Sequence, residues 1–446
     1  MCMLRNKVLT VFMLFSLVSC SLAFADDGVG DTKALKEEIS LLKERINSLE
    51  RRLQTTETKV AAAPAVSVAT GTSASPENGL SSMVTSFAKE IQVHGFVDSS
   101  YVFNTNTPVS PNSRTNTLRV FDNDANGFML NMFQLNLEKL ISKESPVGFR
   151  VDLDFGEDSQ QIHSLGLYGN TNDVFDLQQA YAQIMFPFLL PYMDTLSFKV
   201  GKFATLAGAE VIESINNWNF SRSFLFGYAI PFTHTGVRAY YKPSANIPVD
   251  FNIGVNNGWD DTRDNNRAKT IEAQINVTPI EPLSFSLTGI FGPERTDSDK
   301  DFRDLIDLVA TYKVNDKLTL KANFDYGWEK NGGDALGLND KNASWYGVAG
   351  YARYSIFDWW AIAGRGEYFR DAEGVRTSGN LNSVGLPTLN NLNLYEFTLT
   401  NEFTIYKNIM ARLEYRYDKA DQQAFLKDKI TSNNQSTISA EVAAKF

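Results

Sequence analysis

From Ile91 to Phe446 the chain alternates apolar and polar residues in segments of roughly ten residues, separated by turn residues. Each segment predicts a β-strand with one apolar and one polar face, because successive side chains of a strand point to opposite sides. In a membrane barrel the apolar face meets lipid and the polar face lines the lumen, whereas in a soluble sandwich the polar face meets water outside. The clearest segments have their apolar residues at Phe149, Val151, Leu153 and Phe155, at Val249, Phe251, Ile253 and Val255, and at Ala411, Leu413, Tyr415 and Tyr417.

We count about 16 such segments, an even number within the range of bacterial barrels. Short connections alternate with long polar ones, as periplasmic turns alternate with extracellular loops. The sequence therefore predicts an all-β transmembrane barrel of antiparallel strands over residues 91–446. The strands begin near Ile91, Gly127, Val147, Phe175, Thr195, Thr233, Val249, Arg267, Leu283, Phe302, Lys317, Ala343, Trp359, Asn391, Asn408 and Gln435. Aromatic residues near strand ends suit an interfacial girdle, among them Tyr101, Trp328, Trp345, Trp359 and Trp360.

One connection, from about Ala204 to Phe232, is unusually aromatic and rich in Gly and Asn. Connections this long inside a compact domain are usually functional or disordered. Counted from a periplasmic N-terminus it is the third long loop, and we interpret it as a loop folded into the pore. We expect its aromatic part, Trp218 to Tyr228, to pack against the inner wall, and its acidic part near Glu210 and Glu213 to form the constriction.

Residues 31–60 change to a helical period, with apolar residues at Leu35, Ile39, Leu42, Ile46, Leu49 and Leu53. This heptad pattern, flanked by charged residues, predicts an N-terminal α-helical coiled coil that helps the protein to oligomerise in the periplasm. The alternative is a lone amphipathic helix that lies against another surface. Residues 61–90, rich at first in Ala, Ser, Thr and Pro, predict a flexible linker.

The first residues predict a secretory signal peptide over residues 1–25. Arg5 and Lys7 form its basic end, Val8 to Val18 its apolar core, and Ala23-Phe24-Ala25 a cleavage site. A lipoprotein cleavage before Cys20 is the competing interpretation. The only two cysteines, Cys2 and Cys20, lie in this segment. A mature chain that begins after Ala25 therefore has no disulfide framework and no cysteine ligand.

Net charge and motifs argue against several functions. The formal net charge of −10 argues against nucleic acid as a partner, which needs a basic surface. The three histidines, His94, His163 and His234, lie on different segments without metal-ligand spacing. The sequence has no G-x-S-x-G motif, no glycine-rich phosphate loop and, after the signal peptide, no cysteine nucleophile. We therefore expect neither enzymatic activity nor a cofactor or bound metal.

The charged residues on the polar face suggest a candidate pore constriction. If the third loop folds inward, its carboxylates face an arginine wall across a narrow gap, and the transverse field sorts solutes by charge. The predicted constriction residues are Glu210, Glu213, Arg222, Arg353, Arg365, Arg412 and Arg416. The alternative is that each arginine pairs with a neighbouring carboxylate of the wall, for example Arg365 with Glu367 or Arg412 with Glu414.

Several stretches resemble the putative β-barrel porin-2, OmpL-like family. These stretches are Val93 to Val102, Asn131 to Lys139, Pro146 to Glu157 and, most specifically, Ser221 to Arg238, SRSFLFGYAIPFTHTGVR. The resemblance covers about residues 91–446 and implies a pore in the outer membrane of a Gram-negative bacterium. The terminal Phe446 agrees with the C-terminal aromatic residue of such barrels. No substrate motif comes with the resemblance, and the heptads are not part of it.

These observations together predict an outer-membrane porin with its N-terminal segment in the periplasm. Small hydrophilic solutes or ions would diffuse passively through a water-filled pore narrowed by the third loop. We expect contact with outer-membrane lipid and a homo-oligomer, with a trimer favoured by analogy with other porins. The alternative function is a structural or adhesive outer-membrane protein, which the coiled coil tethers to the cell wall.

Overall fold

The structure is a computed structural model that describes residues 90–109, 115–167, 173–186, 196–244, 246–338 and 340–446. The predicted signal peptide (1–25), the coiled coil (31–60) and the linker (61–90, apart from Glu90) lie outside the described residues and stay predictions. In the part of the chain that the structure describes, no helix is long and apolar enough to cross a membrane.

Sixteen antiparallel strands close into one barrel, as the alternation predicts. Two short strands, β16 (Phe425–Lys427) and β17 (Ile430–Ser432), form a separate hairpin in the last long loop. The barrel strands are β1 (Gln92–Asn104), β2 (Gly127–Lys139), β3 (Val147–Phe155), β4 (Phe175–Met185), β5 (Ser197–Ala204), β6 (Thr233–Tyr241), β7 (Val249–Asn256), β8 (Thr270–Ile280), β9 (Leu283–Pro293), β10 (Phe302–Lys313), β11 (Leu318–Glu329), β12 (Ala343–Phe357), β13 (Trp360–Asp371), β14 (Leu392–Tyr406), β15 (Ile409–Ala420) and β18 (Asn434–Lys445).

Every barrel strand pairs with its neighbours in the chain, and β1 pairs with β18 to close the ring. The closing register joins Phe96 to Lys445 and Asn104 to Thr437. Short connections such as 281–282, 358–359 and 407–408 meet at one end of the barrel, which we call the short-turn end. The long loops, with helices α1 (Glu157–Gln161) and α2 (Ser378–Ser383), meet at the other end.

The two faces of the strands differ as predicted. Outward apolar side chains such as Val200, Val237 and Val255 are 48%, 43% and 49% exposed. Inward polar side chains such as Asp98 and Asp152 are fully buried. The apolar face therefore forms the outer surface, and the polar face lines the interior.

The predicted aromatic girdle is wrong at one position. Trp345 is fully buried inside the barrel, where its Nε1 donates a hydrogen bond to the Ala229 carbonyl at 3.1 Å. The reason is its place in the alternation of β12, which turns it to the lumen side. By contrast, Trp359 is 54% exposed at the short-turn end and stacks on Phe357, with their ring centroids 5.8 Å apart.

The long loops share one apolar cluster. Leu118 and Phe121 come from the first long loop, Phe226 and Phe232 from the loop between β5 and β6, and Leu381 from α2. The rings of Phe121 and Phe232 pack edge to face with centroids 5.5 Å apart. These contacts join the long loops into a single packed unit.

Candidate functional site

The loop between β5 and β6, residues 205–232, is the third loop of the prediction. Its carbonyl at Leu206 accepts a hydrogen bond from Gln274 of β8 at 2.9 Å, and its carbonyl at Ala209 accepts one from Lys321 of β11 at 2.8 Å. The Ser214 hydroxyl lies 2.7 Å from a Glu441 carboxylate oxygen of β18. A loop that contacts inward side chains of such widely separated strands lies across the barrel interior.

Two local features shape this loop. Gly208 has a φ of 96°, a conformation that favours glycine, and a Cβ there would meet Ile230 Cδ1 at 2.6 Å. The side chain of Asn217 closes the tip, because its Oδ1 accepts from the Val211 N–H at 2.9 Å and its Nδ2 donates to the Val211 carbonyl at 2.8 Å. Contacts within the loop therefore hold its shape in addition to its contacts with the wall.

The wall formed by β13, β14, β15 and β18, here called the anchoring wall, holds the second half of the loop by its backbone. Glu414 accepts hydrogen bonds from the N–H groups of Phe220 and Ser221 at 2.7 and 3.0 Å. Glu367 accepts from those of Phe224 and Leu225 at 2.7 and 2.5 Å. Each carboxylate thus sits in a concavity of two successive N–H groups, which is a favourable anion environment.

Arginines of the same wall bind the carbonyls of the loop. Arg365 donates to the Ser221 carbonyl at 2.6 Å, and Arg416 donates to the Arg222 carbonyl at 2.5 Å. Arg412 donates to the carbonyls of Ser214 and Asn217 at 2.9 and 2.5 Å. The carboxylates of the wall therefore accept hydrogen bonds from N–H groups of the loop, and the guanidinium groups of the wall donate hydrogen bonds to its carbonyls.

The structure brings some of the predicted constriction residues together. Glu210 and Arg365 form an ion pair of 2.6 Å, and Arg365 also pairs with Glu396 at 2.8 Å. Arg353 and Arg412 share Glu402, each at 2.8 Å. These four ion pairs join residues of different strands, or a strand and the third loop.

Glu213 and Arg222 lie apart from these pairs, whereas Arg416 lies 3.9 Å from Glu396, the partner of Arg365. Glu213 accepts from Gln134 and Gln178 at 3.3 and 2.7 Å. Arg222 pairs with Asp158 of α1 at 2.8 Å and donates to the Ile212 carbonyl. Arg416 pairs with Asp418 at 2.8 Å. Their role at a constriction stays a prediction, because the contacts describe positions and not permeation.

The predicted constriction arginines of the barrel strands each pair with a lumen carboxylate, which is the pairing alternative, but Arg365 and Arg412 do not use the partners given as examples. Arg416 does pair with Asp418 of the same strand. Arg365 and Arg412 instead pair with Glu396 and Glu402 on the neighbouring β14. The expected partners, Glu367 and Glu414, bind loop backbone, which sequence reasoning missed because the two groups are more than a hundred residues apart.

Next to the anchoring wall, where β1 pairs with β18, an interior cavity of about 730 Å³ lies between the first half of the loop and strands β1 to β4, here called the open wall. Amide and charged side chains of the strands line one part of the cavity, including Asn136, Arg150, Gln178 and Gln179, and apolar side chains of the loop line another, including Leu206, Val211, Ile212 and Ile215. A smaller cavity of about 290 Å³ lies beside Arg353, Glu402 and Trp218. Ile215 and Asn216 line both cavities, so the tip of the loop separates them.

Asp158, a buried carboxyl in the loop that follows β3, has a perturbed pKa. Burial raises the pKa of Asp158 to about 6, although the Arg222 guanidinium opposes this by favouring the charged form. Asp158 therefore changes charge near mildly acidic pH while it holds Arg222 of the third loop.

The described residues offer no metal site, since no group of three or more His, Cys, Asp or Glu residues among them is suitably arranged. His234 is buried and bonded to Gly258 O at 3.0 Å and to Thr205 Oγ1 at 3.3 Å, as expected of a structural histidine. His94 is partly exposed, 3.7 Å from Glu138. The arrangement can therefore position a loop beside a cavity with polar and apolar walls.

Comparisons with known proteins agree with this geometry. A family model described as "Putative beta-barrel porin-2, OmpL-like" matches residues 90–446. Among solved structures, the chain is similar to the outer membrane channel DcaP of Acinetobacter baumannii, with 13% identity, a TM-score of 0.50 and coverage of 80% of this chain and 97% of that chain. No curated protein matches the chain.

Two further solved structures are similar over most of the barrel. One is an anion-selective porin from Comamonas acidovorans, with 12% identity, a TM-score of 0.50 and coverage of 80% of this chain and 99% of that chain. The other is Pseudomonas putida OprB at high pH, with 11% identity, a TM-score of 0.51 and coverage of 83% and 97%. At these identities the similarity shows the fold alone.

Proposed function

Since this chain belongs to the β-barrel porin-2, OmpL-like family and has a porin role in the outer membrane, we propose that small hydrophilic solutes diffuse passively through its lumen. The observation that carries the proposal is the cavity of about 730 Å³ beside the third loop, which amide and charged side chains of the strands line in part. Amide and charged groups can replace part of a solute's hydration shell without binding it tightly, which passive conduction requires.

The third loop narrows the passage in this proposal. Its backbone is bound to the anchoring wall and its Glu213 side chain to Gln178, and the cavity beside Gln179 and Asn136 is left for the solute. Because the loop crosses the lumen, its first half forms one side of the passage. The predicted residues Glu210 and Glu213 lie on that half, and Glu213 lines the cavity.

Single-channel recording tests this function. Purified full-length protein in a planar bilayer should give stepwise conductance. A variant without residues 211–218, the tip that separates the two cavities, should give larger steps. Steady insertion without any current would contradict the proposal, and an unchanged step size in the deletion variant would remove the narrowing role of the loop.

A structural or adhesive role is the second candidate, favoured by the packed cluster of long loops around Phe121 and Phe232. Under this alternative the loops close the lumen, and the predicted coiled coil contacts the cell wall. Silent barrels that sediment with cell wall only when residues 31–60 are present would favour it. We further propose that the chain has no catalytic role, that the N-terminal segment lies in the periplasm and that the heptads of residues 31–60 support a homo-oligomer.

A further inference from the structure

A cluster of cationic and aromatic side chains lies on the lumen side of β3 to β6. We call Arg150, Tyr181, Lys199 and Arg238 the Lys199 patch. Arg150 lies opposite Tyr181 in the β3–β4 register, and Lys199 lies opposite Arg238 in the β5–β6 register. The Lys199 ammonium lies 4.6 Å from the centroid of the Tyr181 ring. Two like charges directly opposite each other are unfavourable unless something else compensates them.

The two arginines of the patch already have partners. Arg238 binds Glu272 through Nε and Nη2 at 2.7 and 2.8 Å. Arg150 binds Asp152 at 2.9 Å. Lys199, by contrast, forms no ion pair with any carboxylate of the described residues, and its contact is the Tyr181 ring. The patch therefore carries one uncompensated positive charge.

The nearby carboxylates cannot turn to Lys199 without breaking other bonds. Asp152 accepts hydrogen bonds from Asn136 at 2.7 Å and from Gln179 at 2.6 Å, in addition to Arg150. Its side chain is fully buried, whereas that of Arg150 is 29% exposed. The same asymmetry holds for Arg353 and Glu402, with exposed fractions of 31% and 13%. In these pairs lumen water meets the guanidinium more than the carboxylate.

Lys321 repeats the pattern on the other side of the third loop. Its ammonium donates to the Ala209 carbonyl at 2.8 Å and lies 4.7 Å from the Trp218 ring centroid. It forms no ion pair with the carboxylates that the structure describes. Lys199 and Lys321 both lie near the start of their strands, β5 and β11, and thus near the short-turn end. Many acidic residues that set the net charge lie elsewhere, such as Asp264 and Asp299 in the long loops.

We propose that the Lys199 patch binds small anions, with a carboxylate or phosphate group as the ligand, and that the open channel consequently prefers anions to cations. Lys199 supplies the uncompensated charge, and Arg150 supplies further N–H donors beside the cavity. Charged rings and patches that line a narrow pore set ion selectivity in this way. The inference rests on the proposed porin function, because selectivity has meaning only in a conducting channel.

Measuring the reversal potential of the full-length protein in a potassium chloride gradient tests the inference. At about 0.1 M salt, where the Debye length is about 10 Å, we expect chloride to be favoured over potassium by about threefold. Lys199→Gln should bring the ratio close to one, and Lys199→Glu should invert it. The control Lys317→Gln removes an exposed lysine of a short turn and should retain the ratio. Since Lys199 has no ion pair to break, the variants should fold.

Block of the chloride current identifies the ligand chemistry. Inorganic phosphate and succinate, added separately at millimolar concentration, should each reduce the wild-type current. The same additions should reduce the current of Lys199→Gln by a several-fold smaller fraction. Block by only one of them would assign the site to that anion. Lys321→Gln gives a second variant, in which the chloride preference should also fall.

The outcomes separate the two proposals. A conducting wild type that prefers potassium, or a chloride preference that Lys199→Gln leaves unchanged, overturns the anion site while the porin function stands. A barrel that inserts without conducting overturns both.

Discussion

The two sides of the barrel interior use similar polar residues for different purposes. On the anchoring wall, Glu367, Glu414, Arg365 and Arg412 are buried and bound to the third loop or to each other. On the open wall, Arg150 and several amides face a cavity. The comparison teaches that charge on a lumen strand does not by itself identify a residue that meets solute. A charged group whose bonding is complete within the protein acts as structure, and one with free donors beside water is available to a ligand.

The largest expected effect on stability comes from breaking the anchoring wall. Arg365→Ala leaves the buried carboxylate of Glu210 without its ion-pair partner and that of Glu396 with Arg416 alone, 3.9 Å away. Removing one member of a buried ion pair costs about 3–5 kcal/mol. Urea unfolding of the protein in lipid vesicles should show this loss, and single-channel records should show a noisier current. The control Arg370→Ala, on the same strand but bonded only to exposed Asn391 among described partners, should cost much less.

The second-largest expected effect on stability comes from the apolar contacts of the third loop. Phe224 is 1% exposed and stacks on Tyr228 with ring centroids 6.5 Å apart. Phe224→Ala should lower the free energy of unfolding by about 3 kcal/mol, because it leaves a cavity among packed rings. Val211→Ala changes an exposed side chain of the same loop and should be nearly neutral. Equal losses in both variants would show that the loop is not packed as described.

The third-largest expected effect is a change in the free energy of unfolding with pH. The folded pKa of Asp158, about 6, lies above the ordinary value of 3.8, so the folded state binds the proton more tightly. The stability contribution of Asp158 is therefore greatest below pH 4 and falls as pH rises to about 6, with a slope of at most about 1.4 kcal/mol per pH unit. Asp158→Asn should remove this slope from the unfolding profile between pH 4 and 6. A profile unchanged by the substitution would contradict the assignment.

The smallest stability effect should accompany a clear change in conductance. Val211 is 43% exposed and lines the large cavity. Val211→Trp should change the free energy of unfolding by less than about 0.5 kcal/mol, because the site is solvated, and should reduce single-channel conductance to about half by occupying the passage. Val237, equally exposed on the outer face of β6, provides the control: Val237→Trp should leave conductance unchanged.

The sequence predicts well those features that depend on a local pattern of residues. Alternation is a local property, so strand starts such as Thr233 and Val249 were predicted to the residue, and the start of β8 was displaced only from Arg267 to Thr270. The third loop was recognised from its length and aromatic content. These features require no knowledge of which strands lie opposite one another.

The partners of the candidate residues could not be predicted in the same way. Glu210 and Arg365 are 155 residues apart, and nothing in a local pattern indicates that they meet. The inward position of Trp345 was missed because an aromatic residue near a strand end usually suggests the lipid interface. The burial of Glu367 and Glu414 depends on the path of the loop, which only the three-dimensional structure defines.

The central claim is that the third loop presents one face to the anchoring wall and the other to the passage. Single cysteines on the two faces test it most directly, in a chain whose Cys2 and Cys20 are replaced by serine. Val211→Cys faces the large cavity, whereas Asn219→Cys replaces a buried side chain bonded to Thr400 at 2.7 Å. A bulky water-soluble thiol reagent should reduce the single-channel current of Val211→Cys and leave that of Asn219→Cys unchanged. Reaction and block at Asn219→Cys but not at Val211→Cys would contradict the account.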